Sequence, residues 1–125
     1  MAGTAVGKLI TGTVDRTLSY TKAWEVSLTA DASDALFPVY SLPSDFAGMI
    51  SDISVVFDGT TPPNSLTCLT KDGYGLTIHT VGPVTASTGR GLLDANVAVV
   101  GGGSITVTGN TTNSAKVKVI LYLID

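Results

Sequence analysis

The sequence predicts an all-β fold: an antiparallel β-sandwich of about seven to eight short strands, jelly-roll-like or immunoglobulin-like. Three observations predict it. Thr, Val and Ile supply 39 of the 125 residues, and β-branched side chains suit a pleated surface better than a helix. Apolar and polar residues alternate at period two in several runs, the pattern of a strand with one face buried. Fourteen glycines and five prolines separate these runs at short intervals, as turns between short strands require.

Taken in order, residues 1–13 form an N-terminal arm or edge strand, with Gly3, Gly7 and Gly12 among apolar neighbours, and residues 14–125 a single sandwich domain. Between Tyr20 and Thr29, the residues Tyr20, Trp24, Val26 and Leu28 share one face, and Glu25, Ser27 and Thr29 the other. A polar turn at Asp31–Asp34 follows. Pro38, between Phe37 and Val39, marks an edge or extended connection, and Pro43-Ser44-Asp45 a break. From Met49 to Asp58, the residues Ile53, Val55 and Phe57 oppose Asp52, Ser54, Val56 and Asp58. After a Pro62-Pro63 loop, Ser65–Lys71 and Leu76–Val81 form a hairpin around Asp72-Gly73-Tyr74-Gly75. Gly82–Leu93, with Pro83, Gly89 and Gly91, reads as a loop. Ser104–Thr108 and Ala115–Ile124 read as a second hairpin around Gly109–Asn113.

The final strand is unusual. Val117, Val119, Leu121 and Leu123 form one face; the other begins with Lys116 and Lys118 and continues as Ile120, Tyr122 and Ile124. A strand apolar on both faces must be covered on both, either by its own chain as a central strand or by another subunit. Ile120, Tyr122 and Ile124 are therefore the candidate subunit interface.

Charge is sparse. Only 14% of residues are charged and the formal net charge is −3, so polarity comes mainly from 18 threonines and 11 serines. The seven basic residues are scattered, which argues against nucleic acid as a partner. No run of about 18 apolar residues could span a membrane, and Met1–Ile10 lacks the basic start and continuous apolar run of a secretory leader.

Catalytic and metal chemistry lack their residues. His79 is the single histidine and Cys68 the single cysteine, so no disulfide framework or ordinary zinc site is expected within one chain. A nucleophile elbow is missing, and Cys68 beside Leu66 reads as a small buried hydrophobe. Gly101-Gly102-Gly103 precedes a strand rather than a helix, so it is a turn and not a phosphate loop. Asp31, Asp34, Asp58 and Asp72 are the oxygen donors that calcium would use, but turn aspartates ordinarily bond their own backbone. Asn110-Thr111-Thr112 matches a glycosylation sequon and reads as a turn. No catalytic residue, cofactor or metal site is assigned, and the expectation is a structural or binding protein rather than an enzyme.

Residues 46–125 can be followed as a phrase. A strand over Ile50–Phe57 and a proline loop lead to Leu66-Thr67-Cys68-Leu69-Thr70-Lys71-Asp72-Gly73-Tyr74-Gly75-Leu76. The phrase closes with Ser104–Thr108, Gly109-Asn110-Thr111-Thr112-Asn113-Ser114-Ala115 and Val117–Leu123. This order resembles small virion proteins of tailed bacteriophages of the capsid decoration, or cement, type. The resemblance implies a β-sandwich on the capsid surface of the virion that homo-oligomerises, as a trimer, and has the major capsid protein as partner. It supplies no catalytic residues. The alternatives are another virion component (head-completion, neck or tail protein) and a carbohydrate- or receptor-binding sandwich, for which Tyr40 and Tyr74 are the candidate exposed aromatics.

Overall fold

The computed structural model describes residues 3–11, 22–43, 48–57, 61–84, 88–99 and 102–124. Among them are nine strands and no helix: β1 Thr4–Thr11, β2 Lys22–Thr29, β3 Tyr40–Leu42, β4 Gly48–Phe57, β5 Leu66–Asp72, β6 Thr77–Val84, β7 Thr88–Val99, β8 Gly103–Thr108 and β9 Lys116–Ile124. They form a five-stranded sheet, β1-β2-β9-β4-β7, and a four-stranded sheet, β3-β8-β5-β6, with every pairing antiparallel.

The pairing follows one rule. β5 pairs with β6, β4 with β7, β3 with β8 and β2 with β9, as though one long hairpin of four strands out and four back were rolled into two sheets. That is a jelly roll, so the strand order settles for the jelly-roll member of the expected pair. β1 adds a fifth strand at the edge of the larger sheet, so the part of the N-terminal segment that is described is an edge strand.

Two sequence expectations are corrected. Ser104–Thr108 and Ala115–Ile124 do not form a hairpin: β8 pairs with β3 and β5, β9 with β2 and β4. The Gly109–Ala115 turn carries the chain from one sheet to the other. Gly82–Leu93 is not all loop, because β6 runs to Val84 and β7 starts at Thr88. Glycines that lower strand propensity are held there by the ladder to β4, with Gly89 opposite Val55 and Gly91 opposite Ile53. Tertiary pairing overrides local preference. Pro83 lies in β6, an edge strand, where proline is tolerated.

The core lies between the sheets. Val26 and Leu28 of β2, Ile53, Val55 and Phe57 of β4, and Val117, Val119, Leu121 and Leu123 of β9 face Leu66, Cys68, Ile105 and Val107 of the smaller sheet. The alternation in the sequence thus sorts the faces of β2, β4 and β9. Ile50 joins this core although it is three residues before Ile53, because Ser51 is an extra residue against β9: Ile50 opposes Leu123 and Asp52 opposes Tyr122. The bulge resets the phase of the pleat.

Among the described residues, one buried side-chain polar atom in the core has no partner. Thr70 is fully buried and its Oγ1 makes no hydrogen bond. A hydroxyl taken from water without compensation is a net cost. Thr70→Val, which keeps the β-branched shape, is expected to stabilise the chain by about 1 kcal/mol, read as a higher urea midpoint at unchanged slope.

Candidate interaction surface

The outer face of the larger sheet is built from the residues that alternate with the core set. Register aligns them in rows across the strands: Val6, Ser27, Lys118 and Val56; then Lys8, Glu25, Ile120 and Ser54; then Ala23 and Tyr122. Thr29 and Lys116 continue the face at one end.

The face has two halves. In the first, Glu25 Oε1 lies 3.5 Å from Lys118 Nζ and 3.9 Å from Lys8 Nζ. The lysines are exposed and the Glu25 side chain is only 12% exposed. Solvent-screened pairs of this kind contribute roughly 0.2–1 kcal/mol each, so they set the local charge pattern more than the stability. Beside them a groove of about 430 Å³ runs along Ser27, Thr29, Val56, Lys116 and Lys118.

The second half is centred on Ile120 and Tyr122. Ile120 and Tyr122 are half-buried on the outer face, flanked by Ala23, 3% exposed, and Ser54, 6% exposed. β9 is indeed central, between β2 and β4, and its own chain covers the Val117–Leu123 face completely. On the opposite face Ile120 and Tyr122 keep part of their surface exposed. The structure thus brings two of the three candidate interface residues onto one patch. The side chain of Ile124 lies outside the described set; its backbone pairs with Met49.

The remaining candidates are placed as follows. Tyr74 projects from the tip of the β5–β6 hairpin, 79% exposed, next to Leu76. Asp72 builds that tip: its Oδ1 accepts from Tyr74 N at 2.9 Å and Leu76 N at 3.0 Å, and Gly75 takes φ +82°. Tyr40 is not a free aromatic, because Trp24 Nε1 donates to its hydroxyl at 3.1 Å and the pair packs against the core. Sequence reading missed the residue that makes this possible. A Cβ on Gly7 would collide with the Tyr40 hydroxyl and Trp24 Nε1, so a glycine in mid-strand, otherwise unfavourable, lets β1 lie over the pair.

The turn aspartates bond their own loops. Asp31 Oδ1 accepts from Ser33 Oγ and Ser33 N, each at 2.7 Å, and from Asp34 N at 3.3 Å; Asp34 Oδ1 accepts from Leu36 N. The bond from the Ser33 hydroxyl, then that from the Ser33 amide, holds the Asp31 carboxyl below its ordinary 3.8. Asp31 therefore contributes stability above that pH, and the contribution is lost as pH falls through the lowered value. Among the described residues no three His, Cys, Asp or Glu side chains gather around a common point; Asp58 lies outside them. Asn110, of the sequon, is buried, and its Nδ2 donates to Ala35 O and Thr112 O, each at 3.0 Å. The turn reading is the one its geometry fits.

Cys68 is fully buried beside Leu66 on the inner face of β5, and burial pushes its thiol from 9.0 up to about 12. The thiol is neutral at physiological pH and shielded, the reverse of a reactive cysteine. Native protein is expected to leave Cys68 unlabelled by a water-soluble thiol reagent, with rapid labelling once urea unfolds the chain. Because the folded pKa is raised, the linked stabilisation is complete below pH 9 and lost as pH rises toward 12. His79 pairs with Thr70 in the ladder between β6 and β5.

No protein-family model matches the chain, and no curated protein matches it. Among solved structures it is similar to a chain from Bacillus endospore appendages, a family of disulfide-linked pili, at 16% identity and TM-score 0.41, over 100% of this chain and 93% of that one. It is similar also to a family 11 carbohydrate-binding module of a cellulosomal cellulase of Clostridium thermocellum, at 13% identity and TM-score 0.33, over 98% and 84%. A third is the xylan-binding domain from Paenibacillus barcinonensis Xyn10C, at 15% identity and TM-score 0.29, over 99% and 87%. TM-scores below 0.5 establish no common topology, so what those proteins bind or build says nothing of this chain. The fold stands on its own strands: an all-β, antiparallel sandwich of two sheets.

Proposed function

We propose that this chain is a non-enzymatic virion protein of the capsid-decoration type, a homo-oligomer that binds the outer shell of a tailed bacteriophage. The observation that carries the reading is the pair of large apolar side chains on the outer face of the larger sheet. Ile120 and Tyr122 sit at its centre on a central strand, where an isolated sandwich would place charged or hydroxyl side chains. The low charge and the sequence resemblance over residues 46–125 support the same reading. So does the jelly roll, in the weaker sense that the architecture recurs in viral capsid and lectin domains alike.

The mechanism is linkage. A protein that binds assembled shell and not its separated subunits adds its binding free energy to the stability of the shell. Ile120 and Tyr122 would supply the apolar centre of the contact, and Lys8, Glu25 and Lys118 a polar rim.

Quantitative mass spectrometry of purified particles tests the reading. A copy number near that of the major capsid protein is expected; a few copies per particle would move the protein to the neck or tail, and absence from particles overturns the virion assignment. Ile120→Lys is expected to weaken shell binding while leaving the thermal midpoint close to that of the parent, since the position is on the outer face. A second reading rests on Tyr74, which would serve a carbohydrate- or receptor-binding sandwich as an exposed stacking ring. Glycan binding lost in Tyr74→Ala and kept in Ile120→Lys would favour it.

A further inference from the structure

The four sheet edges are not equally protected. β3 has three residues, too short to template a partner. β6 contains Gly82-Pro83 and two register shifts against β5, and β7 packs alongside β6 where the two sheets meet. Short strands, prolines, bulges and covering elements are the usual defences of a sheet edge.

Among the described residues β1 is the least defended of the four, although β3 approaches it. It runs eight residues, pairs with β2 one-to-one from Thr4–Thr29 to Thr11–Lys22 without a shift, and contains no proline. Among the described residues no strand pairs with its other edge. Two of its apolar side chains lie open, Val6 at 65% and Leu9 at 49% exposure. Its one charged residue, Lys8, is drawn toward Glu25.

We infer that β1 is a self-association edge, on which the β1 strand of a second copy adds antiparallel to extend the larger sheet across two molecules. Main-chain hydrogen bonds give such a contact its strength and facing side chains select its register. A two-fold pair of antiparallel strands has its axis normal to the sheet, so only residues on the same face can oppose each other. With Lys8 on the axis, two like charges meet, which is destabilising. With Gly7 on the axis, the central pair has no side chains and Val6 faces Lys8 on either side, an apolar residue against a charged one. With Val6 on the axis, two exposed β-branched side chains meet, the favoured kind of cross-strand pair, and each Lys8 faces Thr4 of the other copy. The second copy is the fitting occupant because this register satisfies both strands at once, as an isologous contact must. The contact uses the edge of the larger sheet and leaves Ile120 and Tyr122 unoccupied, so it stands apart from the shell-binding reading.

Variants with one added cysteine test it, since Cys68 is buried and does not compete. Val6→Cys places a thiol on the proposed axis; Leu36→Cys, at a loop residue of equal exposure, 64% against 65%, controls for chance collision. On mild oxidation Val6→Cys is expected to give a disulfide-linked dimer on a non-reducing gel at a concentration where Leu36→Cys remains a single chain. Equal cross-linking of the two, or none in Val6→Cys, overturns the inference. In the otherwise unaltered chain, Val6→Lys should halve the molar mass found by light scattering with the thermal midpoint unchanged. A mass equal to that of the parent is the second overturning result.

Discussion

Truncating Leu121 to alanine is expected to cost about 2–5 kcal/mol, the range for removing a fully buried leucine from a close-packed core, whereas truncating its neighbour Ile120 should cost about 1 kcal/mol or less. Leu121 is fully buried. It stands in mid-sheet opposite Trp24 on β2 and Ile53 on β4, within the core between the two sheets, so its truncation leaves a cavity in close-packed surroundings. Ile120 points the other way and is only half-buried. Urea unfolding of the two variants, compared at constant slope, measures the difference. Equal losses would mean that the outer face of β9 is covered as completely as the inner one, and would remove the basis for an interaction surface.

Asn110→Ala is expected to lower stability by about 2–3 kcal/mol, because one side chain satisfies three backbone groups and burial makes each expensive to leave unpaired. Its Nδ2 bonds Ala35 O and Thr112 O, and its Oδ1 accepts from Thr112 N at 3.1 Å. The first bond joins loops 75 positions apart in the chain and pins Ala35, buried at φ +63°, a conformation that non-glycine residues adopt at a cost. Nearby, Thr111 N donates to Asn64 Oδ1 and Ser114 N to Asp31 O, so the loops at this end of the sandwich form one hydrogen-bonded unit. Asn110→Asp should be at least as damaging, since it exchanges both donors for a carboxylate facing two carbonyl oxygens. A thermal midpoint within a degree or two of the parent for either variant would show that water replaces these bonds without penalty.

Ile120 and Tyr122 were identifiable as a candidate surface because a strand apolar on both faces is a conflict visible in one dimension. The groove along Lys116 and Lys118 was not. It depends on Ser27 and Val56 lying on either side of Lys118 in the sheet, which no spacing in the chain implies. Gly7 was equally silent: its role exists only because Trp24 and Tyr40, sixteen residues apart, meet beneath it. The edge of β1 became meaningful only by contrast with the three other edges, and edges exist only once sheets have formed.

What the sequence by itself determined is strand content and facing. β-branched composition made the chain all-β, and period-two alternation assigned the inner residues of β2, β4, β5 and β9, because both act through a residue and its nearest neighbours. The one tight turn with its own chemistry, Asp72–Gly75, correctly announced the β5–β6 hairpin. Tertiary structure decided the rest: that β8 and β9 belong to different sheets, that glycine-bearing Thr88–Val99 is a strand, and that Ser51 bulges so that Ile50 turns inward. Strand pairing is satisfied by backbone groups that every residue carries, so a short sequence does not name its partner. The partner is chosen where two sheets can bury their apolar faces together, and only the folded chain contains that choice.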